Sequence, residues 1–213
     1  MSGDEPVFNP DLWDTPTGIG SANCFSYAMD DYDSTRTQKA MPGERAGQTS
    51  QIDYTKCGKL RRRLLADNPH GIYAVRPTTR CQEGFFKLMM FTDSTGGPDG
   101  VGDFHFYKQH RDVLYKAGAG ETADTIAKFF KVHKNTMQNM TTGVLAGVKK
   151  GDMIMIPNAN VWSHKLGVAT GALLKDSCGR LIKDPRTACR KYSFNYDNFC
   201  GAYCARKNKV HTR

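Results

Sequence analysis

The segment Asp103-Phe104-His105-Phe106-Tyr107 alternates apolar and polar side chains. Side chains two residues apart on a β-strand point to the same face, so Phe104 and Phe106 share one face and His105 lies on the other. The pattern predicts a strand over residues 103–109 with a buried back and a His105 side chain that points outward.

A second histidine segment, Trp162-Ser163-His164-Lys165, lies within a predicted strand at residues 161–165. Residues 71–76 and 85–92 also predict strands, because they are rich in aromatic or aliphatic side chains and are bounded by Gly, Pro or Asn. We expect the His105 and His164 strands to be antiparallel neighbours, with both imidazoles facing one helix.

That helix is predicted by the segment Asn23-Cys24-Phe25-Ser26-Tyr27-Ala28, with Ser21 or Asn23 as its N-cap. Cys24 stands at its start, where free backbone N–H groups and the helix dipole favour a thiolate over a thiol. We therefore expect a lowered pKa for this sulfur.

Cys24, His105 and His164 are the candidate catalytic residues. A cysteine nucleophile needs a base to take its proton, and the base needs a third polar group to fix its tautomer. The three residues fill these roles in that order, with Asp184 as the alternative third member. The remaining histidines are expected at the surface: His70, His110, His133 and His211.

Length and composition limit the class of protein. The chain has 213 residues, 39% of them hydrophobic and 24% charged, which is enough for one or two domains with real cores. No apolar stretch approaches the roughly 20 residues that cross a bilayer, so we expect no membrane span. Residues 1–6 lack the basic and apolar regions of a secretory signal. These features predict cytoplasmic synthesis, followed by packaging in a virion or release by lysis.

The positive charge is concentrated near the C-terminus. The net charge is +9, and residues 175–213 hold ten Lys and Arg against three Asp. One interpretation is a solvated basic tail. The other is attraction to an anionic surface, such as a cell-wall polymer, nucleic acid or acidic virion proteins.

An odd number of cysteines is consistent with one special thiol. If Cys24 is the nucleophile, six cysteines remain to form disulfides or, in a reducing compartment, to stay reduced. A zinc site is an alternative for four of them, although their spacing fits zinc poorly. The four are Cys178, Cys189, Cys200 and Cys204. We expect neither a metal nor another cofactor.

Residues 114–157 change to a helical pattern. Ala123, Ile126, Ala127 and Phe130 give one apolar helix face, which Thr122 caps. A second short helix is predicted at residues 135–140, and residues 148–157 predict a turn into a strand. The segment is therefore expected to be a compact βααβ unit.

This unit resembles the LysM family. The matching residues, in order, are Tyr115, Gly120-Glu121-Thr122, Ile126-Ala127, Val132, Asn139, Gly151 and Ile156-Pro157. The resemblance implies binding of a polymer that contains N-acetylglucosamine, peptidoglycan or chitin, and terminal strands that lie side by side. The contacts it implies are Gly118, Gly120, Glu121, Thr122, Asn139, Met140 and Thr141.

The order of cysteine, histidine and histidine resembles the NlpC-type branch of papain-like peptidases. The same segments resemble small bacterial and large-virus proteins with the motifs Asn-Cys-Tyr-x-Tyr-Ala, Asp-Tyr-His-Trp-Tyr and Trp-Ser-His-Lys-Pro-Gly. The resemblance implies an α+β fold: a papain-like, NlpC-type antiparallel sheet with an N-terminal cysteine-bearing helix and an inserted LysM module.

The predicted organisation has four parts. Residues 1–20 form an extended lead-in, because their prolines and glycines disfavour a helix. Residues 21–113 and 158–205 form the papain-like domain, 114–157 the LysM module and 206–213 a basic tail. The function predicted is a cysteine hydrolase, an amidase or endopeptidase on peptidoglycan-like material. The alternative is a non-enzymatic glycan-binding or virion structural protein.

Overall fold

The computed structural model describes residues 1–213, except for the side chain of Asp99. It has an α+β structure with antiparallel sheets, as predicted. The α-helices of the described chain are α1 (Pro16–Ser21), α2 (Cys24–Met29), α3 (Cys57–Asp67) and α4 (Ala123–Phe130). Its strands are β1 (Ile72–Val75), β2 (Phe85–Thr92), β3 (Phe104–His110), β4 (Val113–Lys116), β5 (Gln138–Asn139), β6 (Met153–Ile156), β7 (Val161–Ser163) and β8 (Asn198–Arg206). Within the described residues, no helix has the length and apolar character needed to cross a bilayer.

The main sheet has the strand order β1-β8-β2-β3-β7, and each neighbouring pair is antiparallel. Strand β3 pairs with β7 from Lys108 opposite Ser163 to His110 opposite Val161. The prediction that the two histidine segments are antiparallel neighbours is therefore confirmed. Because β8 lies between β1 and β2, the last strand of the chain completes the interior of this sheet.

The two faces of the main sheet are covered by different parts of the chain. Helix α2 covers one face, where the ring of Phe25 lies 5.2 Å from that of Phe106. On the other face, Tyr107 packs with Trp162 and Tyr196 in a separate apolar cluster. The alternation predicted for β3 is thus confirmed, with Phe106 and Tyr107 on opposite sides. The expectation that both imidazoles face the Cys24 helix is wrong, because the rings of His105 and His164 pack against Tyr107 on the face opposite α2 (4.9 and 5.1 Å between centroids).

A second, smaller sheet of order β4-β6-β5 interrupts the connection between β3 and β7. Its strands β4 and β6 are antiparallel neighbours, with Val113 opposite Ile156. The chain thus enters and leaves this unit at adjacent points, so the β3–β7 pairing stays intact. Lys183 from the later chain anchors the unit by donating to the carbonyls of Phe130 (3.1 Å) and Ala159 (2.5 Å).

The second helix predicted at residues 135–140 is wrong. A short 3₁₀ helix, Lys134–Thr136, is followed by β5, which pairs with β6. Asn135 and Thr136 are weak helix formers. In addition, the Asn139 side chain accepts from the backbone N–H groups of residues 141 and 142, which favours a turn over a further helical turn.

The extended conformation predicted for residues 1–20 is wrong at its end, where α1 forms. Thr15 caps this helix by accepting from the N–H of Gly18, and Pro16 occupies its first position. Proline is well tolerated there, because that N–H has no partner within a helix. The lead-in also joins the fold earlier, where Phe8 forms a parallel bridge with Val113.

Six of the seven cysteines form disulfides. The pairs are Cys57–Cys200, Cys81–Cys204 and Cys178–Cys189. Two of these bridges attach preceding segments to β8. The four cysteines considered for zinc fall into three separate disulfides, so the zinc alternative is wrong. Cys24 stays a free thiol.

The C-terminal residues are packed against the fold, contrary to the interpretation as a solvated tail. Val210 and Thr212 are buried, and Thr212 donates through its backbone N–H and its hydroxyl to the carboxylate of Asp31 (2.8 and 2.6 Å). The cations beside them, Arg206 and Lys207, are exposed. The backbone of this segment is therefore anchored while part of its charge faces solvent.

Candidate active site

Helix α2 begins at Cys24, and its start is fixed by a capping box. The Asn23 side chain accepts from the N–H of Ser26, and the Ser26 hydroxyl accepts from the N–H of Asn23 (3.1 Å each). Asn23 also donates to the carbonyl of Ala40 at 2.7 Å, which attaches the cap to the following loop. Asn23, one of the two predicted caps, therefore holds Cys24 at the first helical position.

The two candidate histidines form a hydrogen-bonded pair. Nε2 of His105 lies 2.8 Å from Nδ1 of His164, and Nε2 of His164 lies 3.1 Å from the carbonyl oxygen of Lys175. The antiparallel strands β3 and β7 bring the two imidazoles together. Asp184, the alternative third residue, accepts from Arg186 instead.

The direction of these hydrogen bonds follows from the carbonyl of Lys175, at which the series of hydrogen bonds ends. A carbonyl only accepts, so Nε2 of His164 carries a proton and donates to Lys175. In a neutral imidazole the other nitrogen is an acceptor, so Nδ1 of His164 accepts from Nε2 of His105. Neutral His105 is left with an unprotonated Nδ1, the form that acts as a general base.

Both imidazoles are neutral because they are buried. Burial lowers the pKa of His164 to about 4. Burial, together with the neighbouring His164 and Arg190, lowers the pKa of His105 well below its usual value. The prediction that His105 points outward is wrong, since Tyr196 stacks on its ring with centroids 4.7 Å apart. A later segment of the chain thus covers the face that the strand pattern left open.

Cys24 and His105 line one cavity of about 100 Å³. The other residues around it are Asn23, Lys39, Met41, Asp103, Phe104, Gly167 and Tyr196. The Cys24 thiol donates to the carbonyl of Phe104 at 3.5 Å, so the sulfur lies beside the start of β3. Among the described hydrogen bonds, none joins this sulfur to an imidazole. His164 is not among the residues that line this cavity, and it contacts His105 instead.

The lowered pKa predicted for Cys24 is wrong in this structure. Burial raises the pKa of the thiol to about 12, and the negative charge of Asp103 adds to the rise. The backbone N–H of Phe106 and the cations Lys39 and Lys165 oppose it. Helix α2 has six residues and a weak dipole, so loss of water outweighs its N-terminal field. The resting sulfur is a protonated thiol.

Lys165 is a residue of the site for which the sequence analysis predicted no role. Its buried Nζ donates to the carbonyls of Ile19 (2.8 Å), Ala22 (2.5 Å) and Gly167 (2.7 Å). Burial lowers the pKa of this ammonium to about 8. Two of the carbonyls belong to the turn of chain before Cys24, so Lys165 holds that turn in place. Its position next to His164 is the only sequence signal for this role.

His110 is buried, contrary to its predicted surface position. Its Nδ1 lies 2.7 Å from the carbonyl of Pro6, and its Nε2 lies 2.6 Å from the Ser163 hydroxyl. Tyr27 from α2 contacts the same hydroxyl at 2.5 Å. This network joins the N-terminal segment, α2, β3 and β7, and it rigidifies the packing of α2 on the sheet.

The glycan contacts predicted in the small unit lie in two loops at one end of its sheet. Several of these side chains are occupied by internal contacts. Glu121 accepts from the Tyr115 hydroxyl (2.9 Å) and from the N–H of Gly118 (2.6 Å). Asn139 is buried and donates to Asp152 at 2.9 Å. These residues therefore shape the loops, whereas Met140 is exposed and accessible to a ligand.

A separate cavity of about 390 Å³ lies on the same small unit. It is lined by residues 122–124, 134–135 and 145–148. Of the predicted contacts, Thr122 borders it. Residues 145–148 carry no periodic pattern, which is why the sequence did not single them out.

The structure thus places a free thiol and an unprotonated imidazole nitrogen on residues that line one cavity, with a second imidazole hydrogen-bonded to the first. Comparison with protein families, curated proteins and solved structures finds no match to this chain.

Proposed function

We propose that this protein is a cysteine hydrolase, an amidase or endopeptidase that acts on peptide cross-links of peptidoglycan-like material. The observation that carries the proposal is the 2.8 Å contact between His105 and His164, beside a cavity that His105 shares with Cys24. It supplies a base of fixed tautomer on a residue that lines the same cavity as the free thiol.

In the proposed mechanism, Nδ1 of His105 takes the proton of Cys24 as the sulfur attacks the amide carbon. The imidazolium is stabilised by His164, which accepts from its Nε2–H. His105 then protonates the leaving nitrogen, and water hydrolyses the thioester with His105 again acting as base. The backbone N–H of Cys24 stands at the first helical position, which lacks a carbonyl partner within the helix. It is a donor for the oxyanion.

The resting thiol must be activated when substrate binds. With a pKa of about 12, roughly one thiol in 100,000 is ionised near pH 7. Proton transfer is therefore expected to accompany attack on the carbonyl, because a preformed thiolate is too rare.

A second candidate function is a non-enzymatic glycan-binding or virion structural protein. The buried thiol and a cavity of about 100 Å³ favour it, since ligand pockets usually hold about 300–1,000 Å³. In this alternative the buried imidazoles would serve stability alone.

For the fold, we propose a papain-like, NlpC-type domain with an inserted LysM module at residues 114–157. The LysM-type residues take structural roles that support this assignment. Thr122 caps α4 through a capping box with Thr125. Ile126 and Ile156 are buried in the core of the small unit. The module would hold peptidoglycan or chitin and concentrate substrate near Cys24.

We further propose that the exposed cations Arg206, Lys207 and Lys209 attract an anionic wall or acidic virion proteins. The three disulfides support an oxidising environment for the mature protein. Packaging in a virion or release by lysis would bring it to such a compartment.

The test compares Cys24→Ala with wild type on purified peptidoglycan, with the exposed His133→Ala as matched control. Release of peptides is measured by the appearance of new amino groups, and binding is measured by pelleting. We expect Cys24→Ala to lose about 1,000-fold or more of the release rate and to keep pelleting. Equal release by Cys24→Ala and wild type would refute the hydrolase, and no release by wild type would favour the second candidate.

A further inference from the structure

A second cavity, of about 300 Å³, adjoins the Cys24 cavity. Met41 lines both of them, so the two are neighbours. The second cavity is enclosed by the loop of residues 41–54 and by Arg63 of α3. A substrate bound at Cys24 would extend into it.

Arg63 is buried in the wall of this cavity, with 6% of its surface exposed. Its Nη2 donates to the carbonyl (2.6 Å) and hydroxyl (2.9 Å) of Ser50. Gly43 has a φ of +101°, and a Cβ there would lie 2.7 Å from the Arg63 side chain. Because Gly43 has no side chain, the loop leaves room for the side chain of Arg63.

The charge of Arg63 has no carboxylate partner among the described residues. Its described hydrogen bonds use one of its three nitrogens and go to neutral Ser50. Glu44 lines the same cavity, but its carboxylate pairs with Arg213 at 3.0 Å. A guanidinium stays charged, and a buried charge without a counter-charge is costly.

The Tyr54 hydroxyl is a second donor at this cavity. Burial raises the pKa of Tyr54; the positive charge of Arg63 opposes the rise, and the negative charge of Asp103 adds to it. The hydroxyl therefore stays protonated at neutral pH, so it remains a donor. Two donors that line one cavity can serve the two oxygens of a carboxylate.

We propose that the cavity of Arg63 and Tyr54 binds a carboxylate of the peptide substrate, which assigns the hydrolase a peptide with a free carboxylate. This inference rests on the proposed function for the role of the bound peptide. A carboxylate here would supply the counter-charge that Arg63 lacks, and Met41 would separate it from the bond at Cys24.

The experiment measures binding by calorimetry to the Cys24→Ala protein, so that catalysis plays no part. The probes are acetyl-alanyl-alanine with a free carboxylate and the same dipeptide as its C-terminal amide. Arg63→Gln is the test variant. Arg62→Gln, an exposed neighbour on α3, is the matched control.

We expect the acid to bind about 10- to 100-fold more tightly than the amide, since hydrogen bonds to charged groups are the stronger ones. Arg63→Gln should abolish this preference and Arg62→Gln should keep it. If Arg63→Gln fails to fold, Arg63→Lys replaces it and should reduce the preference by losing the paired donors.

Equal binding of acid and amide by the folded protein would overturn the inference, as would an unchanged preference in Arg63→Gln. These outcomes are separate from those of the peptide-release test. A preference for the acid without hydrolysis leaves the carboxylate site standing and removes the enzyme. Hydrolysis without a preference for the acid would support the enzyme and remove the carboxylate site.

Discussion

The buried imidazoles predict a loss of stability in mild acid. His110 and His164 have pKa values of about 3 and about 4 in the folded chain, and about 6.5 when unfolded. Between these values the unfolded chain binds protons that the native chain does not, so the stability they contribute is complete above pH 6.5 and falls as the pH falls. At pH 5 the loss is about 2 kcal/mol for each imidazole, or about 4 kcal/mol together.

His105 adds a loss in the same direction. Because native domains are stable by about 5–15 kcal/mol, such a loss is large and measurable.

Urea unfolding at pH 8 and pH 5 measures this difference. His164→Gln, which removes one of the titrating groups, should reduce the difference by about 2 kcal/mol. His133→Gln at the exposed position should leave it unchanged. If the free energy of unfolding were equal at the two pH values, or if both variants behaved alike, the imidazoles would not be buried as neutral groups.

Further substitutions test the buried ammonium of Lys165 and the contribution of the disulfides to stability. Lys165→Met leaves three carbonyls without their buried donor, so we expect urea unfolding to show a loss of about 3 kcal/mol. A loss below about 0.5 kcal/mol would contradict the role of this ammonium. Replacing Cys57 and Cys200 by Ala should cost about 5 kcal/mol, because that disulfide spans 143 residues, against about 3 kcal/mol for Cys178 and Cys189, which span 11. Thermal melting measures both losses. A larger loss of stability on removing Cys178–Cys189 than on removing Cys57–Cys200 would contradict this order.

Local patterns in the sequence predicted much of the fold. The alternation around Phe104 and Phe106 located β3 and its two faces, because the side-chain period of a strand is a local property. The cap at Asn23 located the start of α2 for the same reason. The resemblance of residues 114–157 to LysM predicted that β4 and β6 would be neighbours.

The electrostatics of the site depend on contacts between distant segments, which these patterns do not contain. Tyr196 covers His105 from 91 positions later in the chain, so the strand pattern left that face open. His110 is buried by a carbonyl near the N-terminus. The rise in the Cys24 pKa reflects the water excluded by the whole fold.

Trapping the covalent intermediate tests the central claim most directly. Wild-type protein and His105→Gln are incubated with peptidoglycan peptides, quenched in acid to preserve thioesters, and mapped by mass spectrometry. We expect wild type to carry an acyl group on the peptide that contains Cys24, and His105→Gln to lack it. Turnover of the peptides with Cys24 unmodified, or equal acylation of both proteins, would contradict the proposed relay.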